Sequence, residues 1–277
     1  MNAASKFFKQ LARHPSGMAA GAFILLLLVL ALVAGLSPAL DPHVMSNESM
    51  QPPSAQHLLG SDELGRSVLA GVVHGTRVSL TVGFFAAVVA TFIGILVGSA
   101  AGFYGGWLDT AVMRIAEFFQ VIPGFILAAV IVAMTGTGLW QIIAVVGLLA
   151  WPQVARVMRG EVMRVKQLEF VDAVRCLGVS ERRVLIGEVI PNAVAPVLAV
   201  GTLIVGQAIL LEASLSFLGL SSAELVSWGR MLNSGQRFLF NGWWLSFFPG
   251  TAIFVTVLAF NLFGDAVGSI LNPRNAR

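Results

Sequence analysis

The chain has 277 residues, of which 57% are hydrophobic and only 11% are charged. Soluble domains carry about 25% charged residues, so the composition excludes an ordinary soluble fold. The net charge of +3 and the isoelectric point near 9.6 would suit a nucleic-acid partner. We nevertheless predict no nucleic-acid partner, because the basic residues are distributed as the topology of a membrane protein requires.

Long apolar runs predict an all-α integral membrane protein. A bilayer core about 30 Å thick needs about 20 apolar residues in a helix, and lipid requires each backbone N–H and C=O to be paired within the protein. Six spans are predicted, at 17–36, 78–102, 112–134, 139–157, 193–211 and 247–271. They form one transmembrane domain over 17–271, with tails at 1–16 and 272–277 and a loop at 158–192 between spans four and five.

The lysines and arginines predict the orientation of these spans. Thirteen of the 17 lie in the two tails, in or beside loop 158–192, or near the connection between spans two and three. By the positive-inside rule, both termini and loop 158–192 are therefore cytoplasmic. The segments 37–77 and 212–246 then lie on the outer side.

The sequence shows no motif for catalysis or cofactor binding. It lacks the GxxxxGK[ST] phosphate-binding loop, the HExxH zinc motif and the GxSxG nucleophile motif. The four histidines are scattered without ligand spacing, and the single cysteine, Cys176, excludes an intramolecular disulfide. We therefore predict no catalytic residue, no metal site and no cofactor in this chain.

Two proline dipeptides interrupt predicted spans. Pro123-Gly124 falls near the middle of the third span, and Trp151-Pro152 falls in the fourth. Proline removes a backbone N–H and crowds the preceding turn, so both sites are predicted to break their helices. The sequence leaves open whether they act as hinges or as local kinks.

A second feature of the spans is a row of small residues. Gly94, Gly98 and Gly102 recur at intervals of four along the second span. Small residues at that spacing let helices approach closely. Packing within this chain and packing against another subunit are both compatible with the pattern.

The charged stretch EFVDAVRCLGVSERRVLIGEVIPN, at 169–192, stands apart from the apolar spans. Its first part predicts a helix with one apolar stripe resting on the bundle and an opposite polar stripe. The apolar stripe comprises Phe170, Val174 and Leu177, and the polar stripe comprises Glu169, Asp172 and Arg175. A solvated amphipathic loop is the usual explanation for such a pattern and would be preferred if the pattern stood alone.

Turn residues divide this charged stretch into two helices. Gly178 is placed to end the first helix in a left-handed conformation. Ser180 can cap the second helix, which is predicted to run until Pro191.

The segment DAVRCLG, followed by Ile190-Pro191, resembles the EAA-type loop of ATP-binding-cassette (ABC) importer permeases. Asp172 replaces the usual Glu of that motif, Val174 the second Ala, and Glu188 an apolar or His residue. Six further segments resemble permeases of the dipeptide/oligopeptide/nickel family. They are HLLGSDELGRSVLAGVVHGTRVSL at 57–80, EASLSFLGL at 212–220, SWGRML at 227–232, FPG at 248–250, FNLFGD at 260–265 and NPR at 272–274. The short outer segment is similar to that of the family's second permease subunit.

The resemblance implies a type I ABC importer permease fold in the bacterial inner membrane, in contact with lipid. It implies a second homologous permease subunit, two cytoplasmic ATPases that bind ATP and Mg²⁺, and an extracytoplasmic substrate-binding protein. The expected substrates are dipeptides and oligopeptides, with nickel chelates, glutathione or another small solute as alternatives. An ATP-independent secondary carrier is a remote alternative, because neither a midplane charge pair nor an inverted repeat is seen.

Two sets of site residues follow from the resemblance. The expected ATPase-coupling residues are Glu169, Asp172, Ala173, Arg175, Gly178 and Pro191. The expected outer-gate or binding-protein contacts are Asp62, Arg66, Glu212, Trp228 and Arg230.

Overall fold

In the computed structural model, which describes residues 10–12, 14–34, 40–222 and 224–271, every regular element is helical apart from one isolated bridge between Ser61 and Ser67. The helices are α1 (Pro15–Ala34), α2 (Val68–Tyr104), α3 (Gly106–Val121), α4 (Gly124–Thr135), α5 (Leu139–Val165), α6 (Glu169–Cys176), α7 (Glu181–Phe217), α8 (Trp228–Gly235) and α9 (Trp244–Leu271). The predicted C-terminal tail 272–277, most of the tail 1–16 and the end of the first span at 35–36 lie outside the described residues.

Five helices are long and apolar enough to cross a bilayer, namely α1, α2, α5, α7 and α9. The pair α3 and α4 passes the same test only when taken together, and it is bent by 88°. The six predicted spans are thus five helices and one broken span. α2 and α7 have 37 residues each, so both extend well beyond the spans predicted for them.

The bend between α3 and α4 occurs at the predicted Pro123-Gly124 site. Ile122 has an extended backbone, with φ −78° and ψ 130°, which is the conformation that a following proline favours. Gly124 then begins α4 without a side-chain cap. The third span is therefore two helices and not the single helix predicted over 112–134.

The prediction of a break at Trp151-Pro152 is wrong, because α5 continues through Pro152 without interruption. Both residues are buried, and the Trp151 ring stacks edge-on against Phe119 with 6.1 Å between ring centroids. Packing on neighbouring helices compensates for the missing hydrogen bond, as it commonly does in membrane helices.

The prediction that Pro191 ends a separate helix is also wrong. α7 passes through Pro191, and the turn before it, Val184–Val189, is a π-helix. A π turn widens the backbone where a proline ring would otherwise crowd the preceding carbonyl groups. The Asn192 side-chain amide donates to the Glu188 carbonyl at 2.7 Å, which satisfies an acceptor near the irregular turn.

α2 and α5 pack along the glycine row, so the packing of this row within the chain is confirmed. A Cβ added to Gly102 would lie 2.7 Å from the carbonyl oxygen of Arg159. Cβ atoms at Gly94 and Gly98 would overlap Val154 and Ala155. The absence of side chains thus brings two helix backbones into direct contact, and α7 packs against both helices.

We expect Gly98→Ala to destabilise the bundle by about 1–3 kcal/mol, because the methyl group would force the α5 backbone away. Gly160→Ala is the matched control, since Gly160 lies on α5 with nothing within 4 Å of an added Cβ. Thermal unfolding in detergent measures both variants. Equal melting temperatures for the two would contradict the described α2–α5 contact.

Candidate functional site

The charged loop predicted from the sequence forms a small projection at one end of the bundle. α5 ends at Val165 and α7 begins at Glu181, so the α6 loop consists of residues 166–180 and is shorter than the predicted loop 158–192. The other end of the bundle, where α2 begins at Val68, carries α8. These are called the α6 end and the α8 end.

α6 is attached to the bundle by a face different from the one predicted. Val171 is fully buried, and Val174 is half-buried against the same core. Phe170 and Leu177 are 40% and 81% exposed, so their assignment to the buried stripe is wrong. Periodicity placed them on an apolar face, but it could not show that the valines one turn apart make the contact. The helix consequently presents two large apolar side chains to its surroundings.

The predicted coupling residues are spread over the open side of the α6 loop. Glu169, Asp172, Ala173 and Gly178 are exposed, and so is Pro191 on α7. Gly178 has a φ of +79°, which confirms that it ends α6 in the left-handed region. Nothing in this chain lies within 4 Å of a Cβ added there. The open face therefore combines acidic, small and apolar groups.

Arg175 holds the α6 loop to the bundle. Its Nε donates to Glu181 Oε1 at 3.1 Å, and its Nη1 donates to Asp172 Oδ1 at 3.0 Å. The guanidinium carbon also lies 5.8 Å from the centroid of the Phe103 ring, near the end of α2. The hydrogen bonds from Arg175 to Glu181 and Asp172 raise the pKa of the guanidinium above its usual value. Arg175 thus contacts its own helix, the first residue of α7 and the end of α2.

The sequence did not identify three further residues that fix the α6 end. Lys166 Nζ donates to the carbonyls of Gly102 at 2.7 Å and Phe103 at 3.1 Å, which caps the C-terminus of α2. Arg159 on α5 forms a two-fold ion pair with Asp109 on α3. Both contacts join residues far apart in the chain, so no local sequence pattern could reveal them.

Glu212 is the centre of a buried polar cluster at the α8 end. Its side chain is 1% exposed. Oε2 accepts a hydrogen bond from Ser79 Oγ at 3.3 Å, and Oε1 accepts one from Ser216 Oγ at 2.6 Å. Ser227, which caps α8, also hydrogen-bonds to this carboxyl group. The cluster therefore connects α2, α7 and α8.

Trp228 is likewise buried and does not face outward. Its Nε1 donates to the Val72 carbonyl at 2.8 Å, and its ring occupies the space that Gly75 leaves open. Arg230 Nη1 donates to the Ser222 carbonyl at 2.6 Å. The gating or partner-binding roles of these residues stay predictions, and the contacts described here are internal.

Asp62 and Arg66 lie in the segment that covers the start of α2. Asp62 Oδ1 accepts from the backbone N–H groups of Leu64 at 2.9 Å and Arg66 at 2.8 Å, which fixes a tight turn. Both residues, together with Arg230, line a cavity of about 90 Å³. The structure thus brings together three of the five residues predicted at this end and places Glu212 and Trp228 beneath them.

Residues 90–277, more than half of the chain, match the family of binding-protein-dependent transport system inner membrane components. The chain belongs to this family. This permease is 35% identical over 272 residues to the glutathione transport system permease protein GsiD of Pectobacterium atrosepticum, covering 97% of this chain and 90% of the relative. It is 38% identical over 264 residues to the dipeptide transport system permease protein DppC of Bacillus subtilis, covering 93% and 82%.

A solved structure supports the same assignment of fold. A chain of the MetNI methionine ABC transporter, in inward-facing conformations, aligns with a TM-score of 0.59 at 19% identity. The alignment covers 73% of this permease and 96% of that chain. The ABC importer permease fold predicted from the sequence is therefore confirmed, and the permease is membrane-embedded.

We expect Glu212→Ala to destabilise the permease by about 2–5 kcal/mol, because it leaves a cavity and removes the acceptor for the serine hydroxyls. Glu224→Ala is the control, since Glu224 is an exposed acid at the same end. Thermal unfolding in detergent would show the difference. A Glu212→Ala variant as stable as the control would mean that the buried cluster contributes nothing to holding α8.

Proposed function

We propose that this permease forms half of the translocation pathway of an ABC importer for short peptides, with the α6 loop as its docking element for an ATPase subunit. The observation that carries the proposal is the open face of α6. Phe170 and Leu177 are exposed apolar side chains next to exposed acidic and small residues. A helix with this surface is expected to fit a groove on another protein.

The need for a partner follows from the chemistry of the chain. Importing a solute against its gradient requires an energy source, and this sequence has no phosphate-binding loop for ATP. ATP and Mg²⁺ would therefore be bound by two ATPase subunits, and force would cross a protein interface. Arg175 would transmit movement of α6 to α2 and α7, since it contacts Phe103 and Glu181.

The predicted topology suggests where the substrate-binding protein and the second permease would lie. With both termini and the α6 loop in the cytoplasm, the α8 end faces the outer side, where a substrate-binding protein would deliver its ligand. A second, homologous permease would complete the pathway. The charged cavity around Asp62, Arg66 and Arg230 lies at the α8 end, and it is where we propose the binding-protein contact.

Short peptides are the substrate class that the similar proteins have in common. GsiD is named for glutathione, which is itself a tripeptide, and DppC is named for dipeptides. This agreement favours peptides over nickel chelates. Uptake of labelled dialanine and of glutathione, by vesicles containing the complete transporter and ATP, tests the substrate. Uptake that persists without ATP or ATPase subunits would favour the secondary carrier instead.

Gly178→Asp should abolish ATP-driven uptake, because a side chain and a negative charge would intrude into the docking surface. Membrane insertion should survive, since nothing in this chain approaches that position. Gly219→Asp is the matched control, because Gly219 has a φ of +80° and equally open space but lies at the α8 end. Co-purification of the ATPase subunits with each variant gives the readout.

Retention of ATPase subunits and of normal uptake by Gly178→Asp would contradict the docking assignment. If both variants lose the ATPase subunits, the cause is backbone strain at a left-handed glycine and not a change in the α6 surface.

A further inference from the structure

The bend between α3 and α4 borders a cavity of about 250 Å³ that is open at the surface of the chain, where Gln120, Gly124 and Gln207 are exposed. Gly124 lies on one side of it, and residues of α5 and α7 form the other walls. Irregular backbone at membrane depth is tolerated only where it is buried in protein or lines an aqueous space. The broken span and the cavity therefore belong together.

Three glutamines provide the polar groups of this cavity. Gln120 lies at the end of α3, Gln153 near the middle of α5 and Gln207 in α7. None of the eleven described residues that line the cavity carries a charge. The other lining residues are apolar apart from Gly124, so the three glutamine amides are the polar side chains of the lining.

Two of these amides have unused hydrogen-bonding capacity. Gln120 Oε1 accepts a hydrogen bond from Arg156. Among the described residues, Gln153 and Gln207 have no side-chain hydrogen-bond partner, and Gln207 is exposed. A polar side chain in the middle of a membrane helix is costly unless it faces a polar group or water. The amides of these two glutamines are therefore free to bind water or a ligand.

We propose that this cavity, which we call the glutamine site, binds the uncharged peptide group of the transported ligand. Each glutamine amide offers a donor and an acceptor, which matches the C=O and N–H of a peptide bond. No lining residue is charged, and the Arg156 guanidinium beside the cavity is paired with Gln120. We therefore expect Gln153 and Gln207 to bind the ligand's backbone and not its termini or charged side chains. The proposal rests on the proposed function, because it assumes that the permease transports peptides.

The size of the glutamine site agrees with this ligand. Pockets for small molecules commonly measure about 300–1,000 Å³, and this one lies just below that range. It can hold one peptide unit, whereas a long peptide would extend past it. Binding through two neutral amides is also weak enough to allow release, which conduction through a pathway requires.

The experiment compares dialanine with its ester analogue, in which oxygen replaces the amide N–H. Both are offered to the reconstituted transporter with its binding protein and ATPases. The binding protein can also prefer the amide, but that preference is the same for every permease variant. The double variant Gln153→Met/Gln207→Met should reduce the preference for dialanine about fivefold, the size of one lost hydrogen bond.

Gln141→Met is the matched control, because Gln141 is an exposed glutamine on α5 outside the cavity. It should leave the preference unchanged. An unaltered preference in the double variant would overturn the inference, and so would loss of the partner permease from its complex, since the glutamines would then serve the interface between permeases. Failure of the unaltered transporter to move dialanine or glutathione would instead overturn the proposed peptide function.

Discussion

The close approach of α2 to α5 determines where the rest of the permease can lie. With glycine at 94, 98 and 102, the two backbones touch, and the ends of both helices come together at the α6 end. Lys166 can then cap α2, and the Phe103 ring comes within reach of Arg175. A larger side chain at any of these glycines would separate the helices and displace the base on which α6 rests. The position of α6 thus depends on the absence of side chains at these three glycines.

The two ends of the bundle differ in how their charged and apolar side chains are placed. At the α6 end, charged groups pair with one another at the surface, and Phe170 and Leu177 remain exposed. At the α8 end, the carboxyl group of Glu212 is enclosed by serine hydroxyls, and Trp228 fills the space beside Gly75. One end therefore leaves large apolar side chains exposed, and the other is held together by internal hydrogen bonds. The glutamine site lies between them, at the only break among the described spans.

Features that depend on local chemistry could be predicted from the sequence, whereas features that depend on tertiary contacts could not. Long apolar runs gave the helices, and the left-handed conformation of Gly178 followed from its place after a short amphipathic helix. Two prolines within the predicted spans behave differently, because Pro152 is buried among packed side chains while Pro123 follows an extended residue and precedes glycine. The orientation of α6 was predicted wrongly, since periodicity identifies an apolar stripe but not what covers it. The contacts of Lys166, Asp109 and Glu212 link distant segments and left no pattern in the sequence.

Cys176 allows the most direct test of the central claim, that α6 is the surface where an ATPase subunit docks. It is the only cysteine of the chain, and it is exposed on α6. Maleimide labelling of Cys176 would be measured for the permease alone and for the complex with its ATPases, both in inside-out vesicles. The account predicts rapid labelling of the permease alone and strong protection in the complex. Equal labelling rates in the two preparations would contradict it.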